Sequence, residues 1–407
     1  MAGYDVVVVG GGTAGAVAAR AAAAVGAHTL LLDEGTPPSG KAACAGLVSR
    51  RALDVLEASS DVVLRPIRGV TVHAPHGASL HVRAEETRAL VVDRGALEQE
   101  LLAAAVAAGV ELLTPARVRG YVNGRVSFER AGETAHVATR MVIGADGAPS
   151  AVARWLRLDA AQQLLPAAQA LVETEEKGDR QDEVVVFLGR QTAPGFFAWC
   201  VPAEPGVQRV GLACLPSVHP RPLLDRLLAE RFRGRVLRRV DGRIPVGPPA
   251  TAVTEGGLLV GDAAAQVKPF SGGGICLGAQ CARVAGQVAG WAALAGDVSA
   301  NALGAYERRW REEVGHEISF GWDIHRLRIE LSDEQLAAAV RAAADPELLE
   351  VVAREGDIDR LGRLVDALVA RRDLWPRLLG VASALGHWGK LVDLAQRAAR
   401  LDPTRPL

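Results

Sequence analysis

The first 34 residues contain the pattern that most constrains the fold of this chain. Val6-Val7-Val8-Val9, a run of β-branched residues, is typical of a strand buried on both faces of a parallel sheet. Gly10-Gly11-Gly12-Thr13-Ala14-Gly15 follows at once, and an alanine-rich segment that predicts a helix ends near Gly26. A second apolar run, Thr29 to Leu32, is followed by Asp33-Glu34. Strand, glycine turn, helix, strand and acid in this order predict a dinucleotide-binding unit.

The glycines of this turn match the pattern G-x-G-x-x-G. Gly10 permits the tight turn, Gly12 lets the backbone approach a pyrophosphate, and Gly15 allows the helix to pack close to the sheet. The free N–H groups near Ala14 and Gly15, at the positive end of the helix dipole, are predicted to receive the phosphates. Asp33 lies 18 residues after Gly15, which suits the acid that binds a ribose hydroxyl. These residues predict a dinucleotide but do not separate FAD from NAD.

A second motif, much later in the chain, favours FAD. The apolar run Leu258-Leu259-Val260 predicts a buried strand, and Gly261-Asp262 follows it directly. An aspartate there can hydrogen-bond a sugar-like polyol, and FAD has a ribityl chain whereas NAD has none. The next loop and helix are predicted to lie against the flavin ring, because helix N–H groups stabilise negative charge on a reduced flavin. The predicted cofactor contacts in this part are Gly261, Asp262, Pro269, Gly273, Gly274 and Ile275.

Two further regions differ from the nucleotide-binding unit. Strand-like alternation in 183–188 and 195–202, with the turn residues Glu204-Pro205-Gly206 after it, predicts a mainly antiparallel sheet. Beyond residue 276 the sequence predicts helices almost throughout. The helix-boundary patterns there are the capping box Ser332 to Gln335, Asp345-Pro346, and Gly356-Asp357, which is predicted to end one helix and begin another.

These regions predict an α/β Rossmann-like FAD-binding domain, an antiparallel β-sheet domain that binds the substrate, and a C-terminal helical region. The FAD-binding domain is predicted to be discontinuous and to consist of residues 1–155 and 245–300. The sheet domain is predicted over residues 156–244 and the helical region over residues 301–407.

Composition excludes several classes of protein. Hydrophobic residues make up 49% of the 407 residues and charged residues 23%, which excludes wholesale disorder. The formal net charge of -1 provides no field that would recruit nucleic acid. The five cysteines form no C-x-x-C pair, which argues against a disulfide framework or a metal site and favours a reducing cytoplasm. No basic residue precedes the first apolar run and no apolar stretch approaches ~20 residues, so neither a signal peptide nor a transmembrane segment is expected.

Six blocks of sequence, spread from the N-terminus to about residue 295, are typical of one group of flavoproteins. They are Gly10 to Gly15, Cys44 to Leu47, Asp93-Arg94 with its helix, Gly144 to Gly147, Phe197 to Pro202, and Gly261 to Ile275. Together they resemble the geranylgeranyl reductase family, within the flavoproteins that share the p-hydroxybenzoate hydroxylase fold. The second and fifth blocks narrow the resemblance to this family. The chain departs from it at Ala45, where the family has glycine, and at Val201, where it has phenylalanine.

The resemblance implies both a set of cofactor contacts and an activity. The implied FAD contacts are Ala14, Gly15, Asp33, Arg94, Asp262, Gly274 and Ile275, with adenine held by the backbone near Val118 and a further contact from Asp146. The implied activity is saturation of isolated double bonds in a polyprenyl chain, with FAD reduced by NAD(P)H or another low-potential donor. Since the chain has a single G-x-G-x-x-G, a nicotinamide is expected to bind transiently, or a separate electron-donor protein takes its place.

An unconjugated alkene accepts hydride poorly, because nothing delocalises the incoming charge. Its reduction is therefore expected to combine hydride delivery to one carbon with proton donation to the other. Cys44 is the candidate catalytic residue that the resemblance places near the flavin, where it donates the proton or orients or gates the substrate. The alternative is a buried cysteine that acts as a small hydrophobic residue. Phe197 and Trp199 alternate onto one face of their strand and are predicted to line an apolar substrate tunnel, or else to be ordinary sheet core.

Several other residues have a site role and a structural alternative. Arg94 is predicted to contact FAD, and its alternative is a solvated side chain at the start of a helix. Asp146 either contacts the cofactor or caps the helix after Gly147. Lys268 either assists an acidic donor or head group or is solvated. One helical face either packs on the core or touches a membrane, and it carries Leu361, Leu364, Val365 and Leu368.

Two other functions fit the same sequence. A monooxygenase or halogenase of this fold, acting on a small aromatic or lipophilic substrate, would add oxygen or halogen instead of two hydrogen atoms. A flavin-binding redox sensor or electron carrier would have no substrate tunnel. We expect a reductase of a hydrophobic isoprenoid, located in the cytoplasm or peripheral to a membrane.

Overall fold

The computed structural model describes residues 3–35, 44–159, 161–174 and 181–386. The strands are β1 (Tyr4–Val9), β2 (Thr29–Leu32), β3 (Leu47–Val48), β4 (Val63–Ile67), β5 (Gly69–His73), β6 (Ser79–Arg83), β7 (Ala89–Val92), β8 (Glu111–Leu113), β9 (Arg117–Val122), β10 (Arg125–Arg130), β11 (Glu133–Gly144), β12 (Gln163–Thr174), β13 (Glu183–Phe187), β14 (Ala198–Pro202), β15 (Val207–Ala213), β16 (Gly234–Val246), β17 (Val253–Thr254) and β18 (Gly257–Leu259). The helices are α1 (Thr13–Ala24), α2 (Arg50–Leu56), α3 (Arg94–Ala107), α4 (Ala151–Leu156), α5 (Pro220–Arg231), α6 (Ile275–Ala295), α7 (Ala300–Trp310), α8 (His316–Glu330), α9 (Asp333–Ala343), α10 (Pro346–Glu355), α11 (Leu361–Ala370) and α12 (Trp375–Leu385).

The first sheet contains the predicted nucleotide-binding unit. Its strands lie in the order β17-β18-β11-β1-β2-β8, and all neighbours except β17 and β18 are parallel. The hairpin of β9 and β10 pairs with β11 in antiparallel fashion. Val6, Val7 and Val8 of β1 are fully buried, because α1 and α6 pack on this strand. The predicted doubly buried strand is confirmed.

Helices α1 and α6 approach each other at backbone contact. A side chain on Gly286 of α6 would overlap the carbonyl oxygen of Ala18 in α1, so only glycine allows this approach. At the other end of the pair, Gly261 lies against Ala14, where an added Cβ would stand 2.7 Å from the alanine methyl. The early and late glycine motifs therefore meet, although about 250 residues separate them in the sequence.

The second sheet has seven strands in the order β16-β12-β15-β14-β13-β5-β6. Its pairs are antiparallel except β13 with β5, which confirms the mainly antiparallel character. The predicted boundaries need correction, because residues 69–83 were assigned to the FAD-binding domain and lie in this sheet instead. β16 also runs past the predicted limit at residue 244 to Val246. Neither error was visible in the local pattern, since strand pairing is decided by partners distant in sequence.

The C-terminal region is mainly helical up to Leu385, where α12 ends, as predicted. The capping box at Ser332 and Gln335 is present at the start of α9, and Asp345 caps α10. The expected helix start at Asp357 is wrong, because α10 ends at Glu355 and α11 begins only at Leu361. The intervening residues instead form a loop. Among the described residues, no helix is long and apolar enough to cross a membrane.

Candidate active site

The start of α1 has the features of a phosphate-binding site. Gly12 precedes the helix, no side chain caps it, and an added Cβ there would meet nothing within 4 Å. The hydroxyl Oγ1 of Thr13 is buried without a hydrogen-bond partner. Gly10 has a φ of 104°, and a Cβ on Gly15 would overlap the carbonyl oxygen of Gly10. The turn thus leaves open space beside helix N–H groups that lack a protein acceptor, which suits a pyrophosphate.

Asp33 stands at the end of β2 beside this turn. Its Oδ2 accepts a hydrogen bond from the N–H of Gly11 at 2.6 Å, and its Oδ1 accepts one from the N–H of Gly35 at 2.8 Å. These bonds fix the carboxylate next to the glycine turn, where the sequence predicted a ribose ligand. The neighbouring Glu34 is exposed and pairs with Arg117 at 3.5 Å. Val118, predicted to lie near adenine, is half-buried in β9 and packs on the core of the first sheet.

Asp262 and the start of α6 form the second half of the site. Asp262 lies in a short 3₁₀ turn after β18, and its Oδ1 is 3.0 Å from where a Cβ on Gly274 would stand. No side chain caps α6, whose first residue is Ile275. Asp262 is an exposed residue, but many protein atoms lie around its carboxyl group. This enclosure raises its pKa above the ordinary value, and the positive charge of Arg94 opposes that shift.

Arg94 reaches into the same space from the start of α3. Its Nη2 donates to Oε1 of Glu98 at 2.7 Å, and its Nη1 lies 3.5 Å from Sγ of Cys44. Burial disfavours its charge, but the pKa of Arg94 is nevertheless raised by Cys44, by Glu98 and by Asp262. Its Nε is buried with no partner among the described residues, which is a further donor that a bound group can satisfy. The solvated alternative is therefore wrong.

Asp146 serves as a helix cap. Its Oδ1 accepts from the hydroxyl of Ser150, and its Oδ2 accepts from the N–H groups of Ala151 and Val152 at the start of α4. Both carboxylate oxygens thus accept hydrogen bonds within the fold, as the capping alternative predicts, and the cofactor contact of Asp146 stays a prediction. The sequence allowed for both roles because a capping aspartate and a ligand aspartate look the same in a short motif.

The loop before α6 is tied to the C-terminal region. The N–H of Lys268 donates to the carbonyl of Gly273 at 3.0 Å, which closes the loop that contains Pro269. The Nζ of Lys268 lies 2.5 Å from Oδ1 of Asp359 and 2.6 Å from the carbonyl of Ile358. Only 13% of the Lys268 side chain is exposed, so the solvated alternative is wrong here too.

Cys44 is the only cysteine of the five that is not buried. The N–H of Gly46 donates to its Sγ at 3.4 Å, and Nη1 of Arg94 lies near the same atom. Two side chains that the sequence analysis missed hold the backbone of this loop. Gln169 donates to the carbonyl of Cys44 at 3.1 Å, and Arg209 donates to the carbonyl of Ala45 at 2.8 Å. A polar residue in the largely apolar strands β12 and β15 was the available signal.

Phe197 and Trp199 share one face of the second sheet, as predicted. Their rings are 6.0 Å apart in an edge-to-face arrangement, with Phe197 half-buried and Trp199 buried. They belong to an apolar cluster that also includes Ala45 of the Cys44 loop and Val267 of the loop before α6. The two aromatic residues thus belong to the core of the second sheet, in a cluster that residues of both loops join, and their lining role stays a prediction.

A second group of side chains that the sequence did not predict packs against Phe196 of the same cluster. The Arg328 guanidinium of α8 stands 4.3 Å above the ring of Phe196 and donates to Nδ1 of His325 at 2.8 Å. Burial lowers the pKa of Arg328 to about 9. Burial, and then the charge of Arg328, lower the pKa of His325 to about 3. His325 is therefore neutral at physiological pH and accepts the hydrogen bond from the arginine.

The residues present fit FAD. Two helix N-termini without side-chain caps, the buried hydroxyl of Thr13 and the unpaired Nε of Arg94 surround the space beside Asp262. These are donors for phosphates and for the polar edge of a flavin, and the carboxylates of Asp33 and Asp262 are acceptors for sugar hydroxyls.

Comparison with known proteins agrees with this geometry. The model of the FAD-binding domain family matches residues 3–248, more than half of the chain. The protein is thus an FAD-dependent oxidoreductase. It is 33% identical over 350 residues to the digeranylgeranylglycerophospholipid reductase of Methanothrix thermoacetophila. This alignment covers 82% of this chain and 89% of the relative. The chain belongs to the geranylgeranyl reductase family.

Solved structures extend the comparison. A geranylgeranyl bacteriochlorophyll reductase-like protein from Thermoplasma acidophilum matches with a TM-score of 0.80 and 25% identity, over 94% of this chain and 99% of that one. The p-nitrophenol 4-monooxygenase of Pseudomonas putida matches with a TM-score of 0.68 and 17% identity, over 86% of this chain and 96% of that one. At that identity the second match concerns the fold alone, so it does not favour an oxygenase.

Proposed function

We propose that this protein saturates isolated double bonds in the geranylgeranyl chains of a glycerophospholipid, with FAD as its redox cofactor. The observation that carries the proposal is the apolar cluster that includes Trp199 of the second sheet and Val267 of the loop before α6, with Ala45 of the Cys44 loop packed against it. An apolar wall beside a flavin site suits a hydrocarbon chain. We infer a glycerophospholipid substrate from the similarity to the Methanothrix relative, a digeranylgeranylglycerophospholipid reductase.

The chain has residues for each part of the cofactor. The N–H groups at the start of α1, around Gly12, Ala14 and Gly15, would hold the pyrophosphate, and Asp33 the adenine ribose. The remaining residues proposed to face the ribityl chain and flavin are Arg94, Gly261, Asp262, Pro269, Gly273, Gly274 and Ile275, with the backbone near Val118 beside adenine. When bound and reduced, FAD supplies a hydride.

Cys44 is proposed to serve the other half of the reaction. Hydride addition to one alkene carbon leaves the second carbon in need of a proton, and we assign this proton to Sγ of Cys44. Arg94 and the N–H of Gly46 both contact the sulfur and hold its position. Phe197 and Trp199 would orient the prenyl chain against it. In Cys44→Ser a proton-bearing group remains, and in Cys44→Ala it is removed, so the serine variant should keep more activity than the alanine variant. Equal activity of both variants would instead assign Cys44 an orienting role.

The reaction is tested by single-turnover reduction. The purified flavoprotein is reduced with dithionite under anaerobic conditions and incubated with digeranylgeranyl glycerophospholipid, geranylgeranyl diphosphate and a prenylated quinone. Mass spectrometry should show a gain of two hydrogen atoms per reduced double bond in the phospholipid. A sample exposed to air serves as the comparison for oxygenation. Hydrogenation of none of the three substrates would contradict the proposal.

The electron donor and the source of the lipid are further proposals. We propose that NAD(P)H binds transiently or that an electron-donor protein reduces the flavin, because the sequence has one dinucleotide fingerprint. Anaerobic bleaching of the flavin by NADPH distinguishes these donors. Because the lipid resides in a membrane, we also propose peripheral membrane contact, which co-sedimentation with vesicles tests. For the predicted apolar face of α11 the packing alternative is favoured, because Leu361 and Leu364 are half-buried in clusters with neighbouring helices.

A further inference from the structure

Three neighbouring strands of the second sheet place three residues side by side. Gly211 of β15 pairs with Gln169 of β12 on one side and with Trp199 of β14 on the other. Neighbouring strands are about 4.8 Å apart, so the outer two residues stand roughly twice that distance from each other. A tryptophan can span this gap only if the central position has no side chain.

The central glycine makes room for the indole. A Cβ on Gly211 would stand 2.6 Å from Cζ2 and 2.8 Å from Nε1 of Trp199, closer than real side chains approach. The indole therefore lies flat across β15 and its Nε1–H donates to Oε1 of Gln169 at 3.1 Å. Both Trp199 and Gln169 are buried, with 8% and 7% of their surfaces exposed.

The amide of Gln169 has only one orientation that satisfies both of its partners. The indole N–H can only donate, so Oε1 must face it, and this turns Nε2 towards the carbonyl of Cys44, which can only accept. Trp199, Gln169 and Cys44 are thus joined in a single chain of hydrogen bonds. Arg209, two residues before Gly211 on the same face of β15, holds the next carbonyl, that of Ala45.

We propose that Gln169 is a positioning residue that fixes the Cys44 thiol. Through Gln169, the position of this thiol depends on the position of the Trp199 indole. This inference rests on the proposed function, in which Trp199 orients the prenyl chain and Cys44 serves the reacting carbon. A chain that moves the indole then moves the cysteine as well. Gln169 acts through Cys44, whose carbonyl oxygen accepts its hydrogen bond.

The direct test measures the alkylation of Cys44 by iodoacetamide in the flavin-bound protein. Since the other four cysteines are buried, single labelling reports on Cys44, and peptide mass spectrometry confirms the position. Gln169→Leu removes both hydrogen bonds, and Gln169→Glu in its ionised form keeps an acceptor for Trp199 but has no donor for the carbonyl of Cys44. In both variants the Cys44 carbonyl loses one buried hydrogen bond, which should raise the labelling rate about tenfold. A labelling rate equal to that of the wild type in both variants would overturn the proposal.

The labelling test also includes a matched control, Gln208→Leu, and an independent variant, Gly211→Ala. Gln208 of β15 accepts a hydrogen bond from Sγ of Cys200 at 3.1 Å, so Gln208→Leu removes an amide–cysteine contact that does not involve Cys44. It should leave the labelling rate within about twofold, because such contacts away from the loop do not couple to it. Gly211→Ala leaves Gln169 intact but displaces the indole, and it should also accelerate labelling. If Gln169→Leu does not fold, Gln169→Glu and Gly211→Ala decide the outcome.

Steady-state kinetics separate positioning from a merely structural role. In Gln169→Glu the wall residue Trp199 keeps its partner, so kcat for the lipid should fall while KM stays near the wild-type value. In Trp199→Phe both kcat and KM should change. A parallel rise of KM in Gln169→Glu without loss of kcat would contradict the assignment. If the wild type reduces no prenyl lipid, the proposed function fails, whereas the labelling rates still decide whether Gln169 holds Cys44.

Discussion

The ion pair between Lys268 and Asp359 joins the loop before α6 to the C-terminal helical region. Asp359 is 3% exposed and lies between α10 and α11, and the lysine belongs to the loop whose glycines face the proposed flavin position. Removal of one partner from a buried ion pair leaves an uncompensated charge and typically costs roughly 3–5 kcal/mol. We therefore expect Asp359→Asn to lower the free energy of unfolding by about 3 kcal/mol.

The double variant separates the charge from the packing. In Lys268→Met with Asp359→Leu both charges are replaced by apolar groups of similar size, and this change should cost much less than either single substitution. Urea unfolding of the wild type, of Lys268→Met, of Asp359→Leu and of the double variant at pH 7 gives the coupling energy from a double-mutant cycle. A single variant as stable as the wild type, or a double variant as unstable as the sum of both, would refute the reasoning.

The pH dependence of the same pair has a definite sign. Burial acts to raise the pKa of Asp359, but Lys268, with help from Ser49 and Cys276, holds it below the ordinary value. A carboxyl with a depressed pKa in the folded state stabilises the protein above its unfolded pKa of about 3.9. This contribution is lost as the pH falls through the folded-state pKa. The stability difference between wild type and Asp359→Asn should therefore be complete at pH 7 and should shrink below about pH 4.

Four further substitutions test other parts of the protein. Gly12→Ala should keep the unfolding midpoint of the apoprotein, because its Cβ meets only open space, but it should lower FAD occupancy at purification. Gly15→Ala should destabilise the apoprotein itself. Equal behaviour of the two variants in both assays would contradict this. Asp262→Asn should stabilise the apoprotein at pH 7, because it removes a carboxylate whose pKa is raised by the surrounding protein atoms. The same variant should weaken FAD binding in a fluorescence titration. Tighter binding would contradict the role of Asp262 as a cofactor ligand. His325, with a pKa of about 3 when folded and about 6.5 when unfolded, should make wild-type stability fall as the pH decreases below about 6.5. In urea titrations His325→Phe should lose this slope, and an unchanged slope would assign it to other groups.

Much of the nucleotide-binding half was predictable because its signals are local. Glycines at fixed spacing, a buried β-branched run and an acid at a strand end each follow from backbone sterics and hydrogen bonding within one βαβ unit. The start of α3 at Arg94 and the capping box at Ser332 were predicted on the same basis. The helix cap at Asp146 shows the limit, because the same residues admit two roles.

The substrate half was less predictable because its contacts join distant segments. The pairing of β5 with β13, the approach of Gln169 to Cys44 and the ion pair of Lys268 with Asp359 each connect residues that are 90 or more positions apart. No pattern within a strand or helix encodes such partners.

By itself the sequence determined a flavin-binding unit, a mainly antiparallel sheet and a helical C-terminal region, and through its motifs it indicated a prenyl reductase. Only the tertiary structure decided which side chains hold Cys44, where the domain boundary crosses the second sheet, and which charges are buried. The physical reason is that local sterics and periodicity are fixed by neighbours in the chain, whereas burial and hydrogen-bond partners exist only once distant strands have packed together.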